Sequence, residues 1–154
     1  MKFKLLILFL LLSLLSSCGF KVVNNNIDYK IVKINTSGDK KINFFLKNKL
    51  SAKTKNENGK YINVNINSKK NKSIKEKNIS NQITKYEIII NVNIEYIYLE
   101  KDLKDEFTLS MSGFYDVASR YSETLNNEKN LINYLIDELT EEIVSNLANK
   151  LNDI

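Results

Sequence analysis

The stretch Leu15-Ser16-Ser17-Cys18 contains the only cysteine of the chain, and its residue types and spacing point to one covalent chemistry. Lys2 and Lys4 precede it, followed by the apolar run LLILFLLL and then Ser13 with two more leucines. A positive start, a short apolar middle and small residues before a cut are the three parts of a secretory signal. The apolar run is shorter than the ~20 residues that cross a bilayer. Ser16 and Ser17 are small enough for a peptidase pocket. The Cys18 thiol can take a diacylglyceryl thioether, and cleavage ahead of it frees an amine for a further acyl chain. Each buried lipid CH₂ contributes ~0.8 kcal/mol, and stable anchoring takes more than one chain. Residues 1–17 are therefore expected to be removed, and Cys18 to be the lipidated end of the mature protein. Two plainer alternatives are an ordinary signal with an incidental cysteine and an uncut membrane anchor. The first leaves a thiol with no second Cys to pair with, and the second is at odds with the length.

Elsewhere the side chains for catalysis are sparse. The chain has no His, and its one Cys lies at the processing site, so Ser-His and Cys-His nucleophiles are excluded. Asp102 with Asp105 and Glu106, and Glu141 with Glu142, are the carboxylate groupings. The first is expected in a hairpin turn and the second on the solvated side of a helix, both as surface charge. The four glycines are scattered and form no phosphate loop, and the acidic residues lack calcium-loop spacing. No enzyme activity, metal or cofactor is expected. Lys69, Lys70 and Lys72, with Lys75 and Lys77, form a cluster near a loop between strands. It reads either as a solvated loop or as a contact for lipid phosphates, which an ammonium neutralises as a point charge.

Removing 17 of the 154 residues leaves 137, enough for one domain with one core. The formal net charge of +5 falls to about +3 once Lys2 and Lys4 leave. Nearly all of the positive charge is Lys, with Arg120 the only Arg, which speaks against nucleic acid as a partner. The excess of Lys, Asn and Ile also matches codon bias from an AT-rich genome. A basic surface would suit an anionic lipid partner.

The elements that must carry these residues follow from periodicity. Residues 18–26 read as a lipidated tether and 27–154 as one domain. IDYKIVKI (27–34) is β-branched and reads as a strand, followed by a turn cluster at Asn35–Asp39. Residues 40–52 place Ile42, Phe45, Leu46 and Leu50 at helical spacing, with Asp39 or Ser37 available as a cap. Asn56–Gly59 is a turn. Ile62, Val64 and Ile66 alternate with asparagines, as in a half-buried strand, and Ser68–Lys77 reads as exposed charge. The longest strand signal runs through YEIIINVNIEYIYLE, with Tyr86, Ile88, Ile90, Val92, Ile94, Tyr96 and Tyr98 on one face. A charged turn and a strand over Phe107–Val117 complete a hairpin, with Gly113 marking a bulge or a close approach. From about Asn126 to Asn149, Leu131, Leu135, Leu139, Ile143 and Leu147 recur every four residues, as in a helix with a wide apolar stripe. The order strand, helix, strand, strand, strand, helix predicts an α+β domain. A four-stranded, mostly antiparallel or mixed sheet would carry two helices on one face.

Three features together resemble the LPS-assembly lipoprotein family, LptE. These are the Cys18-Gly19-Phe20 start, this element order, and the passage FTLSMSGFYDVASRYSETLNNEKNLINYLIDELTEEIVSNLANKL. The resemblance covers nearly the whole chain. It implies an LptE-like domain over 27–154 and a non-enzymatic role at the outer membrane, facing the periplasm. Members of the family plug the lumen of the LptD β-barrel, assist its assembly and support lipopolysaccharide delivery to the outer leaflet. The partners implied are an LptD-like barrel, lipopolysaccharide, and the membrane through acyl chains on Cys18. The rival classes are a free lipoprotein binding a small ligand or peptide, and an envelope-complex component with no lipid substrate. A ligand binder should show one apolar pocket.

Overall fold

The computed structural model describes residues 28–54 and 59–153. The signal 1–17, Cys18 and the tether 18–26 lie outside the described residues, as does most of the Asn56–Gly59 turn. Six elements follow one another: β1 (Tyr29–Gly38), α1 (Lys40–Lys53), β2 (Lys60–Lys77), β3 (Ile83–Tyr98), β4 (Leu103–Asp116) and α2 (Tyr121–Asn152). The sheet order is β1-β2-β3-β4, with β1 parallel to β2 and the remaining pairs antiparallel. Parallel neighbours require a crossover, which α1 supplies. The expected α+β class, mixed sheet and β-α-β-β-β-α order are all present.

Period-two alternation decides which sheet face is covered. Ile62, Val64 and Ile66 of β2 and Ile88, Ile90, Val92 and Ile94 of β3 are buried on one face. Against them lie Ile42, Leu46 and Leu50 of α1 and Leu135, Leu139, Ile143 and Leu147 of α2. Asp39 caps α1 as expected, its Oδ1 accepting from the backbone N–H of Lys41 and of Ile42 at 3.0 Å each. Gly38 is required just before it. Its φ is +92°, and a Cβ there would lie 2.0 Å from the Ser68 carbonyl oxygen.

Several boundaries differ from the sequence expectation. β1 runs on through the predicted turn to Gly38, because Asn35–Gly38 pair in parallel with Asn65–Ser68. β2 does not stop at Asn67. The charged stretch to Lys77 is strand, held in register by the apolar residues of β3, with a bulge near Lys75. β4 begins at Leu103, so Asp105 and Glu106 are strand residues rather than turn residues. Helix α2 starts at Tyr121, about a turn before Asn126. Gly113 marks a close approach and not a bulge: a Cβ there would lie 2.6 Å from Leu131 Cδ1.

Candidate functional site

The predicted lysine cluster is divided by the strand that carries it. Alternation along β2 puts Lys70 and Lys72 on the helix-covered side, in line with Ile62, Val64 and Ile66. Lys69 lies on the opposite face, in line with Asn63, Asn65 and Asn67. The three residues therefore do not form one site.

Lys72 closes the end of the core. Its Nζ lies 2.7 Å from Glu128 Oε2 of α2, 4.3 Å from the Tyr86 ring centroid and 5.2 Å from that of Tyr115. The two tyrosines are register partners on β3 and β4 and stack at 5.5 Å. Tyr115 also donates its hydroxyl to Glu128 Oε2 at 2.8 Å. Burial disfavours the Lys72 ammonium, but hydrogen bonds to Glu128 and Tyr115 outweigh it, and the pKa is raised. For Glu128, burial pushes up while Lys72, Tyr115 and Lys70 pull down, and the carboxyl ends below its usual range. Burial, with Glu128 beside it, raises Tyr115. The ammonium and carboxylate are thus paired with one another beside the two rings. On the opposite face of the sheet Lys75 lies 4.7 Å over the Phe114 ring.

Of the carboxylates singled out in the sequence, Asp105 and Glu141 are likewise engaged. Asp105 Oδ2 accepts from the Tyr96 hydroxyl at 3.2 Å and lies 2.5 Å from Lys150 Nζ. The Lys150 hydrogen bond holds Asp105 below the usual carboxylate range. Burial, then Asp105, pushes Tyr96 up to about 12. Glu141 pairs with Lys53 and Asp137 with Lys49, at 2.5 Å for the latter, so both tie α2 to α1. No metal-holding cluster of His, Cys, Asp or Glu occurs among the described residues. No helix among them is long and apolar enough to cross a membrane.

The face the helices leave open has its own order. Register aligns Lys33, Asn63, Ile97 and Lys104 in one row, and Asn35, Asn65, Glu95 and Glu106 in the next. Ser37, Asn67, Asn93 and Thr108 form a third, and Lys69, Asn91 and Ser110 a fourth. Asn35 Nδ2 donates to Asn65 Oδ1 at 2.8 Å, and Asn65 Nδ2 donates to Glu95 Oε1 at 3.1 Å. Lys104 Nζ reaches Glu95 at 2.9 Å, and Asn93 Nδ2 donates to Thr108 Oγ1 at 3.2 Å. A hollow of about 360 Å³ opens over Asn35, Ser37, Asn65, Asn67, Asn93 and Glu95. Sequence alternation identified the asparagines of β2 and β3. It did not show their alignment with β1 and β4, which depends on register between distant segments.

No family model matches the chain, and no curated protein matches it in sequence. Solved structures do match in fold. The rare lipoprotein B of Shewanella oneidensis aligns over 79% of this chain and 97% of its own, at 12% identity and a TM-score of 0.60. An uncharacterized lipoprotein B of Nitrosomonas europaea aligns over 82% of this chain and 88% of its own, at 12% identity and a TM-score of 0.59. The chain thus shares its whole-domain fold with bacterial lipoproteins.

Proposed function

We propose that this protein is a lipid-anchored outer-membrane lipoprotein that acts by filling and steadying a large β-barrel of the lipopolysaccharide-export type, without turning over a substrate. The open sheet face carries this proposal. On the side away from the helices the four strands present mainly Asn, Ser, Thr and charged side chains in aligned rows, with Ile89, Ile97 and Phe114 among them, while the buried core lies on the helix side. A polar, prearranged face of that kind suits a water-lined barrel lumen, whose inward residues are themselves polar. The fold shared with lipoproteins and the Leu15–Cys18 processing pattern support an anchored location at the envelope. The LptE resemblance supplies the barrel and lipopolysaccharide as partners.

Extraction of native envelopes in mild detergent tests this. The anchored protein should co-purify with one large barrel in a 1:1 complex, and its depletion should reduce correctly assembled barrel. Charge substitutions on the open face, such as Asn65→Lys with Asn93→Lys, should release it while leaving the monomer folded. If the protein runs alone and cross-linking recovers no barrel, the proposal fails and the free ligand-binding lipoprotein takes its place.

A further inference from the structure

Helix α1 carries five lysines and no acidic residue in KKINFFLKNKLSAK. Two of them are used internally, Lys49 on Asp137 and Lys53 on Glu141 of α2. Lys40, Lys41 and Lys47 are exposed and have no carboxylate partner among the described residues. They stand four and three residues before, and three after, Phe44, so helical spacing puts all four side chains on one surface. Phe44 is 61% exposed, against 49% for Phe114, the other exposed phenyl ring among the described residues. It is held edge-on at 5.5 Å by Phe45, which packs against the core. Beside them, a hollow of about 400 Å³ is lined by Thr36, Ser37 and Gly38 of β1 and by Lys40, Phe44 and Lys47.

We infer that this face of α1 docks on an anionic phospholipid surface, with Phe44 entering the headgroup boundary and Lys40, Lys41 and Lys47 meeting lipid phosphates. The apolar stripe of α1 is in the core, so the contact is a basic patch around one aromatic ring, which can pair with lipid phosphates while the ring enters the headgroup boundary. The uncompensated charge selects an anionic occupant, and the ring selects one with apolar depth, which a soluble anion lacks. Reach permits it: residues 18–28, fully extended, span at most about 35 Å, and β1 is itself only about 33 Å long at strand spacing. The inference rests on the lipid-anchored reading. It adds a second contact, on the side of the molecule opposite the open sheet face, that would fix the orientation of the domain on the bilayer.

The test uses the acylated mature chain reconstituted into vesicles. The sequence has no Trp, so Phe44→Trp places a single reporter on this face. Its emission should shift to the blue and be quenched by brominated lipid in vesicles containing phosphatidylglycerol. Both effects should be lost in pure phosphatidylcholine, and in the background of Lys40→Glu with Lys47→Glu. Tyr134→Trp, at a site 59% exposed on α2, should stay solvent-like and unquenched throughout. If the Phe44→Trp protein floats with the vesicles while its indole stays unquenched, the inference is overturned and the anchor stands. Protein that does not float overturns both. Shielding of that indole that appears only when purified barrel is added also overturns it, in favour of a protein contact.

Discussion

Lys72 and Glu128 meet at 2.7 Å, one from the lysine-rich half of β2 and the other from the first third of α2. The contact closes the sheet against its long helix, above the stacked rings of Tyr86 and Tyr115. A lysine that sequence alone offers as a lipid contact is thereby engaged in an ion pair between β2 and α2.

The pair predicts a particular acid sensitivity. Glu128 has a folded-state pKa below its ordinary value of 4.5. A depressed carboxyl contributes stability that is present above the unfolded pKa and lost as pH falls through the folded one. Urea midpoints should therefore decline as pH drops below about 4.5, and Glu128→Gln should flatten part of that decline. The raised Lys72 acts in the opposite sense: its contribution is complete below its ordinary 10.5 and lost as pH rises through the higher folded value. An acid limb identical in wild type and Glu128→Gln would remove the carboxylate from the account.

Gly38 and Gly113, both closely approached, should differ in what alanine does to them. At Gly38 an added Cβ meets a backbone carbonyl at 2.0 Å, and φ is +92°. Neither can relax without moving β2, so Gly38→Ala should cost upwards of about 2 kcal/mol. At Gly113 the obstacle is the end of the Leu131 side chain, which can rotate. Gly113→Ala should cost about 1 kcal/mol, and Leu131→Ala in the same chain should recover part of it. Equal losses at the two sites in denaturant unfolding would contradict this account.

The stripe on α2 is core. Leu139 is fully buried and Leu135 nearly so. Either residue changed to Ala should cost roughly 2–5 kcal/mol, from lost transfer energy and the cavity left behind. Tyr134, one residue from Leu135 but exposed, should cost under about 0.5 kcal/mol as Ala. Urea unfolding of the three variants checks the contrast.

How much of this was legible beforehand depends on whether the information is local. The α1 cap at Asp39, the covered face of β3 and the α2 stripe all follow from short-range spacing, and each is present. The extent of β2 was not legible. Its Ser68–Lys77 half is polar on both faces apart from Ile74, and pairing with β3, such as Lys70 with Ile90 and Lys72 with Ile88, keeps it extended. Asn35–Gly38 has turn composition but is strand for the same kind of reason. Buried Asn43 gave no signal either: it donates to the Ser37 carbonyl at 2.7 Å and accepts from Ser68 Oγ at 2.8 Å, joining β1, α1 and β2. For the candidate site, composition located the lysines, but the parity of each along the strand determined which face it serves.

That parity makes the three lysines separable. Lys72→Glu sets two carboxylates together beside Tyr115, and like charges at that spacing are unfavourable. It should lower the urea midpoint, and any fall in co-purification with a barrel should follow the loss of folded protein. Lys69→Glu, on the open face in the row with Asn91 and Ser110, should leave the midpoint unchanged, because no packed contact is lost. If the open face meets the barrel, Lys69→Glu should instead weaken co-purification, with a salt dependence that differs from wild type. Lys70→Glu should fall between them, since Lys70 adds only a favourable field at Glu128 and is not hydrogen-bonded to it. Thermal melts and detergent pull-downs on the same three proteins separate the two effects. Equal destabilisation by Lys69→Glu and Lys72→Glu would show that the strand face does not determine their roles.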